Sequence, residues 1–233
     1  MDEVNWDGAV NARRVAGRLY RMGRSEWLTE KGWRQAHDEG LRTVIDLRNQ
    51  DERRRRPTDP VVEPEALAGI TVLHCPTEDQ NHEEFMAAAA SADTPYLSDP
   101  RYYPANLDHF PSLIADVFRA LAGARGFVVV HCSAGRDRTG MIISMALALV
   151  GRQDLIAGQY DAGARGINEW HRISPVKHPY ERHLSEEELE PVLAGRQEAL
   201  AEFIDGIDVE TFLRQQGLSD EEIDAVRELL SGS

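Results

Sequence analysis

The chain has 233 residues, a length that suits one domain with an added helical part. Hydrophobic residues make up 42% and charged residues 28%, and this composition excludes a chain that is disordered throughout. The net charge of −14 is concentrated from Glu181 onward, where fifteen acids face four arginines. This acidic balance argues against a nucleic-acid partner.

No run of residues approaches the roughly 18 apolar positions that a membrane span needs, so we expect no integral membrane segment. The first residues lack the basic region followed by an apolar one that marks a secretory signal. Two cysteines in a chain of this length do not form a disulfide framework. We therefore expect a cytoplasmic protein, while export without a signal stays an open alternative.

The first part of the chain predicts two strands separated by a helix. Residues 17–22 have the pattern of a short strand, and Thr29 is a suitable N-cap for a helix that ends near Glu39. Residues 42–47 are β-branched and apolar, which is typical of a strand buried on both faces. Because a helix lies between the strands, we expect parallel pairing through a crossover.

The middle of the chain contains a third short strand and a long connection. Residues 70–74 predict the strand, and residues 77–111 connect it to the next helix, with an alanine-rich helix at 83–92. Connections of this length are often functional lids. Tyr102 and Tyr103 in this connection are compatible with a pocket wall and equally with core packing.

A helix that begins after the N-cap Ser112 and ends at Gly123 leads into residues 126–131, the clearest buried strand. A glycine-containing loop and an apolar helix over 139–150 follow. The C-terminal residues predict acidic helices, with N-caps at Ser185, Asp208 and Ser219. We therefore expect an α/β fold in one domain over residues 1–233: a small, mostly parallel sheet flanked by helices, with a C-terminal helical cluster over about 185–233.

Residues 131–140 read His-Cys-Ser-Ala-Gly-Arg-Asp-Arg-Thr-Gly. The cysteine follows a predicted strand, and the carboxyl ends of strands are where α/β sheets bind ligands. A loop of this length turns its backbone N–H groups inward, and the helix N-terminus adds further donors and a favourable dipole. The motif therefore predicts a cradle for a tetrahedral anion such as inorganic phosphate or vanadate.

The cradle predicts a nucleophile as well as a binding site. Thiols at helix N-termini lose their proton readily and attack as thiolates, so we assign Cys132 as the nucleophile of a two-step reaction through a phosphocysteine. Arg138 offers a planar fork to two phosphate oxygens. Thr139 donates to the sulfur when it leaves, and His131 supports the loop. The predicted phosphate-binding residues are Ser133, Ala134, Gly135, Arg136, Asp137 and Arg138.

With these residues the chain resembles the bacterial protein tyrosine phosphatase B-like family. The resemblance includes the loop with its aspartate before the arginine, the opening segment 11–22, the Asp-Leu-Arg strand end at 46–48 and the closing helices at 209–230. It implies a cysteine-phosphatase-like fold and activity on phosphotyrosine, with overlap towards phosphoinositides. This chain has Arg136 where the family usually has lysine, and Arg14 where an acid is common.

The leaving oxygen needs a proton from a nearby carboxyl group. The mobile Trp-Pro-Asp tripeptide of many tyrosine phosphatases does not occur in this sequence. The resemblance offers Asp137 and Asp79, and we rank Asp137 first because the cysteine and arginine around it fix its position. Asp46 and Arg48, at the end of another predicted strand, are expected to form an ion pair that braces the cradle.

Cys75, like Cys132, follows a histidine at a strand end. It is a candidate to capture an oxidised Cys132 as a disulfide, and an unrelated buried thiol is the competing interpretation. The spacing around the two His-Cys pairs does not match zinc sites. Phosphoryl transfer through cysteine needs no metal, so we expect neither a metal nor another cofactor.

The leading hypothesis is a phosphatase for phosphotyrosine in proteins, with phosphoserine, phosphothreonine or phosphoinositides as further substrates. A rhodanese- or arsenate-type cysteine enzyme is one alternative, and a non-catalytic phosphate-binding module is another. The sequence Arg-Thr-Gly at 138–140 favours the phosphatase. The basic run at 53–56 is either a solvated loop or a surface that attracts an anionic substrate.

Overall fold

The computed structural model describes residues 4–89 and 99–231, and a five-stranded sheet lies at the centre of this part of the chain. The strands run in the order β1-β2-β5-β3-β4; β1 and β2 are antiparallel, and every other neighbouring pair is parallel. The predicted α/β class with a mostly parallel sheet is confirmed. The strands are β1 (Arg13–Ala16), β2 (Leu19–Met22), β3 (Leu41–Asp46), β4 (Thr71–His74) and β5 (Phe127–His131).

Helices cover both faces of the sheet. They are α1 (Glu30–Asp38), α2 (Glu83–Ala89), α3 (Tyr103–His109), α4 (Pro111–Ala122), α5 (Asp137–Leu149), α6 (Ile156–Ile173), α7 (Glu186–Asp205), α8 (Val209–Gln215) and α9 (Asp220–Ser231). The helix α1 connects β2 to β3, and α4 leads into β5, so each serves as a crossover between parallel strands.

The central strand β5 is buried on both faces, as its continuous run of valines predicts. Val128 and Val130 belong to the larger core, which α4, α5 and the C-terminal helices complete. Val129 faces the smaller core with Trp33 of α1. This double burial fixes the carboxyl end of β5, from which the loop of residues 132–136 continues.

The predicted helix caps at four positions are confirmed. At Ser219, before α9, the hydroxyl accepts from the Glu222 N–H at 3.2 Å and the backbone N–H donates to the Glu222 carboxylate at 2.9 Å. Thr29 accepts a hydrogen bond from the Gly32 N–H at the start of α1, and Asp208 does the same for Thr211 at the start of α8. Ser185 forms the predicted capping box with α7. At the end of the chain, α9 packs against α4 and contributes to the same core as β5.

Two helix starts differ from the prediction. Ser112 is not an N-cap: α4 begins one residue earlier at Pro111, whose fixed φ suits a first helical position, and Phe110 precedes it without a side-chain cap. The helix α5 begins at Asp137 and not at Thr139, because the chain becomes helical as soon as it leaves the loop.

The sequence analysis missed β1 and α3. Two of the four residues of β1 are arginines, which do not resemble a buried strand until their tertiary partners are known. In the long connection, the predicted helix over 83–92 is present as α2 up to Ala89, and residues 90–92 lie outside the described part. The short helix α3 occupies a stretch that we expected to be a loop.

Candidate active site

Residues 132–136 form a tight bend between β5 and α5. Gly135 has a φ of +68°, and a Cβ at this position would lie 2.2 Å from the carbonyl oxygen of Met22. Only glycine therefore allows the loop to turn this closely against the end of β2. The predicted arrangement of strand, short loop and helix is present, with the loop at the carboxyl edge of the sheet.

The carbonyl groups of the loop are held from outside by the N-terminal part of the chain. The Arg24 N–H donates to the Ser133 oxygen at 3.0 Å, the Asn11 amide to the Ala134 oxygen at 3.0 Å, and the Arg21 guanidinium to the Gly135 oxygen at 2.7 Å. Within residues 4–89 and 99–231, no acceptor takes the backbone N–H groups of 133–136. These N–H groups are therefore the natural donors to a bound anion.

The predicted nucleophile lies at the base of the loop. Cys132 is 3% exposed, and Thr139 behind it is fully buried with a hydroxyl that has no partner among the described residues. His131 is also fully buried; its Nδ1 lies 3.0 Å from the Cys132 carbonyl oxygen and 4.0 Å from Asp46. Burial lowers the pKa of His131, so its neutral form supports the loop and does not add a charge.

Arg138 is held by two carboxylates that the sequence analysis missed. Its Nη1 and Nη2 donate to Glu52 at 2.5 and 2.6 Å, and Nη1 lies 3.5 Å from Glu78. Glu52 also accepts a hydrogen bond from the Ser133 hydroxyl at 3.1 Å. Burial alone would raise the pKa of Glu52, but the hydrogen bonds and charge of Arg138 hold it below its usual range. The Nε edge of Arg138 is used by neither carboxylate.

The strand end at β3 supports Glu52 through a buried ion-pair network. Arg48 donates from Nε and Nη2 to Asp46 at 2.8 Å, which is the expected pair, and it also binds Glu26 at 2.8 and 3.0 Å. Burial opposes ionisation of Asp46, but the hydrogen bonds and charge of Arg48 lower its pKa overall. Because Arg48 immediately precedes the turn that carries Glu52, this network fixes the approach of Glu52 to the loop.

Both carboxylate oxygens of Asp137 are engaged beneath the loop. Oδ1 accepts from the Tyr160 hydroxyl at 3.0 Å, and Oδ2 accepts from Arg136 Nε at 2.7 Å. Tyr103 donates to the Asp137 backbone oxygen at 2.9 Å and is 2% exposed, so it packs in the core and forms no lid. A proton-donating role for Asp137 requires release of one of the two side-chain contacts.

The guanidinium of Arg136 is turned away from the predicted phosphate position. Besides Asp137, it binds Glu181 at 2.7 Å, and Glu181 also pairs with His171 at 3.1 Å. Burial would raise the pKa of Glu181, but the charge of Arg136 lowers it. Arg136 thus ties the connection between α6 and α7 to the loop, and its backbone N–H is the group left for an anion.

Asp79 is exposed and lies in a local turn. Its Oδ1 accepts from the Asn81 N–H at 2.8 Å and from the Asn81 amide at 3.0 Å. Within the described ranges, no hydrogen bond or ion pair joins the Asp79 side chain to the loop. The preceding residue, Glu78, is the carboxylate that this segment brings to the site.

The two cysteines lie on strands that are not neighbours. The strand β3 separates β4 from β5, and Asp46 pairs in register with both His74 and His131. Two strand spacings separate the Cα atoms of Cys75 and Cys132 by about 9–10 Å. A disulfide needs its two Cα atoms within roughly 7 Å of each other. Burial, with smaller effects of Asp116 and Asp46, raises the pKa of Cys75 to about 11. This spacing favours the unrelated buried thiol over the candidate disulfide.

The sheet, the buried cysteine and the outward-held carbonyl oxygens have the arrangement predicted for an anion cradle at a strand–helix junction. A model of the tyrosine phosphatase family matches residues 8–232. The chain therefore belongs to the tyrosine phosphatase family and is a phosphatase. The narrower resemblance to the bacterial protein tyrosine phosphatase B-like group stays a prediction.

The chain is also similar to solved structures at low sequence identity. TpbA from P. aeruginosa is 17% identical, with 93% of this chain and 96% of that chain covered and a TM-score of 0.45. The core catalytic domain of the PP-IP phosphatase SIW14 from S. cerevisiae, in complex with citrate, is 15% identical, with 86% and 96% covered and a TM-score of 0.41. A search of the curated proteins gave no match. In the described ranges, every helix is too short or too polar to cross a membrane.

Proposed function

We propose that the protein hydrolyses phosphotyrosine in proteins through a phosphocysteine at Cys132. The observation that supports this most directly is the set of backbone N–H groups at 133–136 without protein acceptors, placed above a buried cysteine and beside Arg138. A phosphate has the shape and charge to use these donors. A buried structural cysteine needs neither the loop nor the arginine.

In the first step, the Cys132 thiolate attacks phosphorus, and the bond from phosphorus to the tyrosine oxygen breaks. The loop N–H groups and the Nε edge of Arg138 stabilise the charge on the three equatorial oxygens. In the second step, water attacks the phosphocysteine, which releases inorganic phosphate and returns the thiolate. The Thr139 hydroxyl, which has no other partner among the described residues, donates to the departing sulfur.

The leaving phenoxide takes a proton from a carboxyl group. Asp137 remains the first candidate, because it begins α5 beside the cradle, whereas Asp79 is exposed and bound in its own turn. For Asp137 to donate, its contact with Arg136 opens when the phosphate enters. The same phosphate chemistry applies to phosphoserine, phosphothreonine and phosphoinositides, which makes them the comparison substrates.

The test compares wild type, Cys132→Ser and the matched control Cys75→Ser on a phosphotyrosine peptide and para-nitrophenyl phosphate, without added metal. We expect Cys132→Ser to lose at least about 1,000-fold in kcat, as removal of a nucleophile does. Cys75→Ser keeps wild-type turnover. Equal turnover by wild type and Cys132→Ser rejects the nucleophile.

The alternative functions give different results in the same experiment. A phosphate-binding module binds vanadate but does not turn over any of the substrates in the wild-type form. A rhodanese-type enzyme transfers sulfur from thiosulfate to cyanide and leaves the phosphate esters intact. A phosphatase with another preference hydrolyses phosphoserine peptides or short-chain phosphoinositides faster than the phosphotyrosine peptide.

A further inference from the structure

Arg21 in β2 is a buried arginine directly behind the loop. It is 1% exposed, and its Nη2 donates to the carbonyl oxygens of Gly135 at 2.7 Å and Arg136 at 3.4 Å. Its Nη1 donates to the Gln159 carbonyl oxygen at 2.9 Å. Among the described residues, Arg21 makes no salt bridge with a carboxylate. The positive charge of Arg21 is therefore stabilised by backbone carbonyl oxygens and by any negative charge at residues 132–136.

A buried guanidinium without an ion pair destabilises the fold unless its surroundings compensate for the lost hydration. Burial lowers the pKa of Arg21 to about 10, and a negative charge on Cys132 is the largest effect that opposes this shift. The carboxylate of Asp137 in α5 adds a smaller effect of the same sign.

The neighbouring elements leave space for the Arg21 guanidinium. A Cβ at Gly163 in α6 would lie 2.8 Å from Arg21 Nη2 and 2.9 Å from Arg13 Nη2, so the glycine makes room for both arginines. Asn11 lies beside them with a φ of +63°. Its side-chain amide donates to the Ala134 oxygen at 3.0 Å and to the Gly163 oxygen at 2.8 Å.

These contacts determine the orientation of consecutive peptide planes. The N–H and C=O of one trans peptide point in opposite directions. Holding the Ala134 oxygen outward therefore turns the Gly135 N–H inward, and holding the Gly135 oxygen outward turns the Arg136 N–H inward. Asn11 controls the first plane and Arg21 the second.

We propose that Asn11 and Arg21 are positioning residues of the phosphate cradle: they hold the N–H groups of Gly135 and Arg136 towards the phosphate, and the buried charge of Arg21 stabilises the Cys132 thiolate. The inference rests on the proposed function, since it assigns these residues to the same anion site. Among the described residues, Arg138 at the start of α5 is a second cation whose charge interacts with Cys132, and the adjacent His131 is buried, which favours its neutral form.

The test uses the full chain with Cys75→Ser, so that iodoacetamide reports on Cys132 alone. Two quantities are measured: the pH midpoint of alkylation, and the inorganic phosphate concentration that halves the alkylation rate. In Arg21→Met we expect the midpoint to rise by about one pH unit, the usual size for loss of a nearby charge. We expect the half-protecting phosphate concentration to rise about tenfold, because a buried donor to the loop is lost.

The matched control is Arg18→Met. Arg18 also donates to a backbone carbonyl, that of Gly126 at 3.2 Å, but at the amino end of β5, away from the loop. Both quantities stay at the wild-type value in this variant. An equal change in Arg18→Met and Arg21→Met assigns the effect to general loosening of the sheet and overturns the inference.

Two milder variants separate geometry from charge, and they decide the question even if Arg21→Met does not fold. Asn11→Ala removes a neutral donor, so the half-protecting phosphate concentration rises several-fold while the pH midpoint of alkylation stays at the wild-type value. Arg21→Lys keeps the positive charge and loses the planar guanidinium. We expect the half-protecting phosphate concentration to rise and the pH midpoint of alkylation to stay, as in Asn11→Ala. Wild-type phosphate protection in both folded variants overturns the inference. Absence of phosphate protection in the wild type contradicts the proposed function instead.

Discussion

Glu52 determines where the Arg138 guanidinium lies in the resting site. It binds both terminal nitrogens of Arg138 and the Ser133 hydroxyl, while its Oε2 accepts from the Asn49 N–H at 3.0 Å. A bidentate carboxylate of this kind restricts a long side chain to one orientation. In the proposed mechanism the phosphate therefore meets the Nε edge of Arg138, and Glu52 sets the direction of its approach.

We expect Glu52→Gln to lower kcat/KM on a phosphotyrosine peptide by about 10- to 100-fold, the usual effect of losing a side chain that orients a binding residue. The reason is that Arg138 loses its bidentate partner and turns towards Glu78. Asp51→Asn, an exposed neighbour that pairs with Arg54, is the control and stays at the wild-type value. A Glu52→Gln variant with unchanged kcat/KM contradicts the positioning role.

The ranking of the two candidate acids leads to a second prediction. Asp137→Asn is expected to reduce kcat on the phosphotyrosine peptide by about 100-fold, within the usual range for general acid catalysis. The loss is smaller on para-nitrophenyl phosphate, whose leaving group needs little protonation, and vanadate inhibition changes little. Asp79→Asn stays close to wild type. A larger loss in Asp79→Asn than in Asp137→Asn reverses the ranking.

The residues for which the sequence makes the most direct prediction are those whose proposed roles depend on local spacing. Cys132 and Arg138 follow from the interval between a strand and a helix, which the chain order contains. Glu52 and Glu78 meet Arg138 from two other strand ends, so only the tertiary fold brings them together. A signal for Glu52 does exist: Asn49 followed three residues later by glutamate is a capping-box spacing, directly after the Asp-Leu-Arg strand end.

At the scale of elements, the order of the strands in the sheet determines which strand ends are neighbours. Runs of apolar residues indicate β3 and β5, and their burial on both faces is confirmed. The pattern does not contain the order β5-β3-β4, which inserts a strand between the two cysteines. The arginines of β1 are similarly unexplained by propensity, because their partners are carbonyl oxygens outside the strand. Arg13 donates to carbonyl oxygens in α6 and in the segment before β1, and Arg14 donates to the Gly17 carbonyl oxygen after it.

The strand order predicts how Cys132 responds to oxidation. Because β3 lies between the cysteines, peroxide treatment of wild type is expected to give sulfenic and then sulfinic Cys132, without a Cys75–Cys132 linked peptide. Peptide mapping by mass spectrometry measures both products. Cys75→Ser is the control and loses activity at the wild-type rate. Faster inactivation of Cys75→Ser, together with a linked peptide in wild type, contradicts this separation.

At the scale of the whole molecule, the acidic charge of the C-terminal helices differs in environment from the buried carboxylates around the cradle. Exposed pairs such as Arg214 with Glu210 are solvated and contribute little to stability. In contrast, Glu26, Asp46 and Glu52 are mostly buried, and their arginine partners lower their pKa values despite burial. The response of the fold to acid is therefore expected to come from the active-site end of the sheet.

The sign of this response follows from proton binding. A carboxylate with a lowered pKa binds fewer protons in the folded state, so stability falls as the pH falls below the ordinary values of 4.5 for Glu26 and 3.8 for Asp46. Burial also lowers the pKa of His131 from its ordinary value of 6.5. The folded state therefore loses further stability as the pH falls below about 6.5. We expect the free energy of unfolding in urea to decrease steadily from pH 7 to pH 3.

Asp46→Asn tests whether the buried network produces this pH dependence. The variant leaves Arg48 with one buried carboxylate in place of two, and disruption of such pairs typically costs about 3–5 kcal/mol at neutral pH. Its free energy of unfolding also falls less steeply towards pH 3, because one group with a lowered pKa is gone. The matched control is Asp224→Asn, which removes an exposed pair with Arg227 and leaves the slope unchanged. A wild-type slope in Asp46→Asn would place the acid-sensitive groups elsewhere in the molecule.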